Sequence, residues 1–226
     1  METERRIVID ADFAERVKNY RALLFEADVK NGATSDLLKS ELNKLANEIS
    51  AKYKVEDINK LPSIKFTREA YKACGKDPNR YRPSQEQLMR RIVRGLGLYY
   101  VNNLVDAGNL FSLLTGCSVG CFDADKISGE VLTLGIGKER EPYHGIGRGE
   151  LNISGMPVFR DDKGGIGTPT SDNERTKLEL GTTRLLVTVH LFNPEIRIEN
   201  VVDLFTRIFT TFGNATNIRY SIYTNL

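Results

Sequence analysis

The chain has 226 residues, 40% of them hydrophobic and 27% charged, with a net charge of +2. That balance is ordinary for a globular domain, and its near-neutrality excludes the overall basic signature of many nucleic-acid-binding domains. The sequence has no run of about 18 apolar residues, which excludes a helical membrane span. METERRIVID lacks the apolar stretch of a signal peptide, so a cytoplasmic chain is expected.

Residues of RIVID open as a short strand, and YRALLFEADV (20–29) reads as a second β-rich run. TSDLLKSELNKLANEISAKY places Leu37, Leu38, Leu42, Leu45 and Ile49 at a helical period, with Thr34 or Ser35 as N-cap. IKFTREAYKAC predicts another helix, stopped at Gly75. After the loop NRYRP, Ser84 with Gln87 three residues on has the pattern of a capping box, and Gly95 or Gly97 ends that helix. Residues 101–116, VNNLVDAGNLFSLLTG, form a further helix whose polar side carries Asn102, Asp106 and Asn109, with Asn103 at its edge. Asn and Asp are poor helix formers because their short side chains compete for backbone groups, so this face asks for an explanation. Beyond Gly116 the pattern changes to short β-like runs: VGCF, EVLTLGIG, MPVFRD and RLLVTVHLF, with DDKGG as a hairpin turn. A last helix is predicted over EIRIENVVDLFTRIFTTFG, with Pro194 near its start and Gly213 at its end, and NIRYSIYT closes as a strand. These elements predict one α+β domain over residues 1–226: N-terminal helices, then a mostly antiparallel sheet with a closing C-terminal helix.

The chemistry-bearing residues are few. Cys74, Cys117 and Cys121, with His144 and His190, do not complete the ligand set of a zinc tetrahedron, so neither metal nor cofactor is expected. A local basic segment, RYRPSQEQLMRRIVR, carries Arg80, Arg82, Arg90, Arg91 and Arg94 against the single Glu86. Arginine forks match phosphate geometry, whereas the bland reading is a solvated helix face with ordinary ion pairs.

The stretch RPSQEQLMRRIVRGLGLYYVNNLVDAGNLFSLLTGCSVGCFDADKISG resembles the editing domain of the phenylalanyl-tRNA synthetase beta subunit. There an NNxVDxxN helix precedes a glycine, a short strand and FDxDKIxG. This chain supplies Asn102, Asn103, Val105, Asp106, Asn109, Gly116, Phe122, Asp123, Asp125, Lys126, Ile127 and Gly129. A looser likeness runs through FRDDKGGIG and SDNERT, so the similar core is about residues 80–190. Residues 1–79 form an N-terminal extension and 191–226 a helix and strand packed on that core.

The resemblance implies a freestanding editing-type domain that binds aminoacylated tRNA and hydrolyses a mischarged ester in trans, rather than a complete ligase. In the family the ester is tyrosyl, removed by a second sieve because an apolar pocket cannot reject an isostere that merely adds a hydroxyl. The tRNA and the amino acid moiety are the implied partners, with no membrane. The resemblance puts Asn109 in the pocket. His144 and Glu174 are read from the residues themselves as catalytic groups in place of those the family has, with Asn103, Asp106, Gly120, Gly165, Gly167, Thr168 and Arg175 around the substrate, against the alternatives of a surface histidine and a Glu174–Arg175 surface ion pair. The five arginines contact tRNA. Backbone N–H groups near Gly165 and Gly167, together with Asn109, are the oxyanion candidates, since no GxSxG elbow or Ser-His-Asp signature is present.

Departures from the family accompany the match. Gly120 stands where the family has a histidine, Tyr99 where it has a basic residue, Gly108 where it has a threonine, and Thr168 where a glutamate would read the tyrosine hydroxyl. These predict a wider, less charged pocket that prefers another amino acid. They also keep two other readings open: a non-catalytic amino-acid- or tRNA-binding module, and an unrelated small-molecule hydrolase on the same fold.

Overall fold

In the computed structural model, which describes residues 2–225, the chain builds three layers around one antiparallel sheet. The strands are β1 (Arg6–Ile9), β2 (Arg21–Asp28), β3 (Ser118–Asp123), β4 (Val131–Ile136), β5 (His144–Gly145), β6 (Gly149–Glu150), β7 (Pro157–Asp161), β8 (Gly164–Gly167), β9 (Arg184–Leu191) and β10 (Thr216–Thr224). The helices are α1 (Ala11–Arg16), α2 (Asp36–Lys52), α3 (Pro62–Cys74), α4 (Ser84–Val93), α5 (Asn103–Thr115) and α6 (Ile198–Gly213).

The central sheet runs β10-β2-β9-β3, antiparallel throughout. Its two inner strands are buried on both faces, which is why RALLFEAD and RLLVTVHL read as nearly continuous apolar runs rather than alternating ones. The period of 2 still sorts their side chains. Leu23, Phe25, Val187 and Val189 face a helix layer of α2, α4, α5 and α6. Leu24 and Leu186 face the other way, onto Leu132, Leu134, Phe159 and Ile166 of the second sheet, β1-β4-β7-β8. That sheet is mixed, since β1 pairs parallel with β4. On the helix side Phe25, Phe205 and Phe209 stack at centroid distances of 3.8 and 4.4 Å. Between the sheets His190 accepts or donates to the Tyr20 hydroxyl at 2.8 Å, and burial pushes its pKa down to about 3. Among the described residues no helix is long and apolar enough to cross a membrane.

The chain is thus α+β, with strands at its N-terminus as well as after the helices. β2 lies between β10 and β9, so the first and last segments of the chain supply half of the central sheet. Pro194 stands four residues ahead of α6, which starts at Ile198 behind an Arg197 cap and ends at an Asn214 in left-handed conformation. Ser84 does not cap α4. It is the first helical residue, Pro83 precedes it as cap, and its N–H donates to the Pro169 carbonyl at 2.7 Å. The short helix α1 and the β5–β6 ribbon carry no periodic signal of their own, because neither reaches two full periods.

Candidate functional site

The polar face of α5 divides by task. Asn102 is the N-cap, its Oδ1 accepting from the Val105 N–H at 3.0 Å. Asn103 turns to the chain ahead of α2, where its Oδ1 accepts from the Ser35 N–H at 2.9 Å. Asp106 is fully buried and accepts from the Thr34 hydroxyl at 2.5 Å and the Val101 N–H at 3.1 Å. Burial raises its pKa above the ordinary value, against the lowering effect of those hydrogen bonds. Asn103 and Asp106, expected around a substrate, are therefore ties that seat α5. Only Asn109 of the four lines a cavity.

That cavity, of about 480 Å³, lies between α4, α5, β3 and the loop segments around residues 99–101, 146–148, 168–172 and 177–178. Its apolar wall includes Leu88, Val105, Val119, Ile146 and Leu178, and its polar groups include Gln87, Asn109, Ser112, Arg148 and Asp172. Strand alternation decides what β3 contributes: Val119 and Cys121 line the cavity, and Gly120 points to the opposite face. A Cβ on Gly120 would meet the Phe122 ring at 2.5 Å, and one on Gly167 would meet the same ring at 2.6 Å. A Cβ on Gly165 would likewise meet the Tyr143 ring at 2.8 Å. These three glycines make room for aromatic side chains, and none of them lines the cavity. Gly108, by contrast, lines the cavity, where a Cβ would meet Cys121 Sγ at 2.7 Å.

The loop after β8 is knotted around Thr168. Its hydroxyl donates to the Ser171 carbonyl at 3.0 Å and accepts from the Thr170 and Ser171 N–H groups, so this wall residue is a turn anchor. The knot places Asp172 in the cavity wall, four residues beyond the position where the family pattern has its glutamate. Its Oδ2 accepts from the Cys121 N–H at 3.1 Å, and burial pushes its pKa from the ordinary 3.8 up to about 7. Nothing local in SDNERT singles out this carboxylate from its polar neighbours. The local signal fits a turn equally well, and only the pairing of Asp172 with Gly167 and Cys121 shows its place.

Glu174 does not line the cavity. It is exposed and ion-paired with Lys177, which does. His144 is exposed on β5, paired with Glu150, and the same loop instead sends Ile146 and Arg148 to the cavity. Arg148 donates to Gln87 Oε1 across one mouth. Arg175 forks onto the Asp161 carboxylate at 2.7 and 2.9 Å, a tie between loop and sheet.

Beside the cavity a second groove of about 260 Å³ runs along α4, lined by Arg82, Gln87, Leu88, Arg90, Arg91, Arg94, Leu96 and Tyr99. The two hollows share Gln87, Leu88 and Tyr99. Of the five arginines, Arg90 is held at 2.8 Å by the buried Glu86. Arg80 lies outside the groove, 5.7 Å from the Tyr81 ring. Arg91 sits over the Tyr99 ring at 5.1 Å with its Nε unpaired. Among the described residues no cluster of three His, Cys, Asp or Glu side chains is placed to hold a metal.

An N-terminal fragment of the phenylalanyl-tRNA synthetase beta subunit from Pyrococcus horikoshii is similar over 96% of this chain, at 11% identity and a TM-score of 0.49. The chain spans about half of that fragment, 51% of its length. No curated protein sequence matches the chain. The profile of the B3/4 domain matches residues 67–206, more than half of the chain and all of the cavity wall. The chain therefore belongs to the B3/4 domain family, whose domain occurs in the phenylalanyl-tRNA synthetase beta subunit.

Proposed function

We propose that the chain binds aminoacyl-tRNA in the cytoplasm, receives the aminoacyl ester in the cavity, and hydrolyses it in trans. The observation that carries this reading is the shared wall of Gln87, Leu88 and Tyr99 between an arginine-lined groove and a polar–apolar cavity. A phosphate chain following Arg82, Arg91 and Arg94 delivers its terminal ester to Asn109. In the reaction a water attacks the ester carbonyl and the bond to the ribose oxygen breaks. Of the water's two protons one goes to the departing ribose oxygen and the other to solvent, and the amino acid leaves as its carboxylate. Asn109 supplies an amide donor for the developing oxyanion and an acceptor for the water, without adding a charge.

A second reading, a binding module without turnover, draws on the state of Cys121. Burial and the neighbouring Asp172 carboxylate both raise its thiol pKa far above the ordinary value, so it is no nucleophile. Incubating the protein with a panel of mischarged tRNAs separates the two. Release of the amino acid supports the hydrolase, binding without release supports the module, and neither overturns the whole reading.

Two variants sharpen this. Charge reversal at Arg91 and Arg94 is expected to weaken tRNA binding and to lower the salt slope by about 0.7 to 0.9 per lost phosphate contact. Unchanged affinity at low and high salt would assign these arginines to the solvated surface. Asn109→Ala is expected to slow release by about 10²-fold with no loss of thermal stability, since Ala is the better helix former. Asp106→Ala is expected to lower stability by about 1 to 3 kcal/mol, because it orphans the Val101 N–H and the Thr34 hydroxyl.

A further inference from the structure

Among the described residues Asp172 is the only carboxylate in the cavity wall, and no cation pairs with it. Its Oδ2 takes the Cys121 N–H, and its Oδ1 accepts no hydrogen bond among the described residues. The titratable groups packed around it do not neutralise it. On β3 the Cys121 thiol is held protonated. From the segment before β5, the Tyr143 hydroxyl donates to the Ser171 carbonyl at 2.7 Å and stays neutral through burial. The two cations of the wall are turned elsewhere, Arg148 onto Gln87 and Lys177 onto Glu174. An acid left without a countercharge in such a place carries a desolvation cost that the single Cys121 N–H bond offsets only in part.

We propose that Asp172 is the receptor for the primary α-ammonium group of the bound aminoacyl moiety, so that the cavity selects free-amine aminoacyl groups over N-acylated ones. The inference deepens the aminoacyl-tRNA reading and rests on it for the identity of the substrate. The composition of the wall favours the α-ammonium over a side-chain group. Leu88, Val105, Val119, Ile146 and Leu178 offer the amino acid side chain an apolar surface. The arginine groove takes the phosphates, and Asn109 takes the ester. One anionic group remains for the one cation that every free-amine aminoacyl ester carries. A carboxylate lifted toward neutrality gives up little hydration when an ammonium arrives, and the arriving charge returns it to its ionised form.

The experiment follows protein NMR signals of cavity residues while amino acid amides and their N-acetylated counterparts are titrated into wild type and Asp172→Asn. The Asn side chain keeps an acceptor for the Cys121 N–H, so the variant is expected to fold. Free-amine amides are expected to shift signals of α5 and β3 saturably, with at least a tenfold advantage over the acetylated forms. Asp172→Asn is expected to erase that advantage and leave the weak binding of the acetylated forms unchanged. Equal binding of the two forms by wild type overturns the proposal, as does an advantage that survives in the variant or a complete lack of shifts at the cavity. A discrimination by Asp172 that follows a side-chain hydroxyl rather than the α-amine overturns it too, because the carboxylate then reads the side chain. Failure of the tRNA reading looks different: amides bind through Asp172 while no aminoacyl-tRNA is bound or hydrolysed.

Discussion

Between about pH 4 and pH 8 the wild-type protein is expected to lose up to about 4 kcal/mol of folding stability that Asp172→Asn retains. The Asp172 pKa rises from 3.8 in an ordinary setting to about 7 in the fold. Between those values the folded state holds a proton that the unfolded chain has released, so stability falls as pH climbs through this window and is flat above it. Water in the cavity screens the carboxylate and trims the magnitude, but it does not change the sign. His190 works in the opposite sense over nearly the same range. Its pKa is depressed to about 3 by burial, so its contribution is lost as pH falls below its ordinary value of 6.5. The difference between wild type and variant removes this and every other shared titration. Urea denaturation at a series of pH values measures it, and parallel curves for the two proteins would show that Asp172 is not held in a desolvated site. A more stable Asp172→Asn that no longer prefers free amines would mean that the protein keeps a destabilising acid for recognition, a common trade at functional sites.

Glu86→Ala is expected to lower stability by about 3 to 5 kcal/mol, the cost of leaving a buried charge without its partner. Glu86 has no solvent-exposed side-chain area, and Arg68, its partner at 2.9 Å, is only 11% exposed. Arg90 adds a second contact at 2.8 Å and Arg82 a third at 3.8 Å. Without the carboxylate, Arg68 keeps the Pro78 carbonyl and Asn79 Oδ1 but no countercharge. Replacing Glu86 and Arg68 together by apolar residues of similar size should recover most of the loss, since the pair costs desolvation that packing does not. Chemical denaturation of the single and double variants tests this. A loss below about 1 kcal/mol in Glu86→Ala would place the pair in the weak class of solvent-screened bridges. The same carboxylate also sets the charge of the groove. By holding Arg90 closely and Arg82 more loosely, it leaves Arg91 and Arg94 as the groove arginines without a carboxylate partner among the described residues.

Much of the secondary structure was legible in the residues themselves. The α2 helix and its Ser35 cap, the stop of α3 at Gly75, the strands β2 and β9, and the α5 helix all follow from periodicity and caps, which act over a few neighbouring residues. The NNxVDxxN and FDxDKIxG motifs pointed to the family to which the chain belongs. The roles of individual polar residues were not legible in the same way. Asn102, Asn103, Asp106 and Asn109 look alike on a helical wheel, yet each meets a different partner: the first turn, the chain before α2, the Thr34–Val101 loop and the cavity. Gly120 and Gly167 looked like room for a ligand, and the Phe122 ring fills that room from the far side of the strand. His144 and Glu174 carry the chemistry a catalytic site needs but lie outside the cavity wall, while Asp172, in an ordinary-looking turn, faces it. The physical reason is the same in each case. Helix, strand and turn depend on contacts within about four residues, which the sequence states directly. A cavity is made by the α4, α5, β3 and loop surfaces meeting across long separations, and only that meeting decides which side chain loses its water and which keeps it.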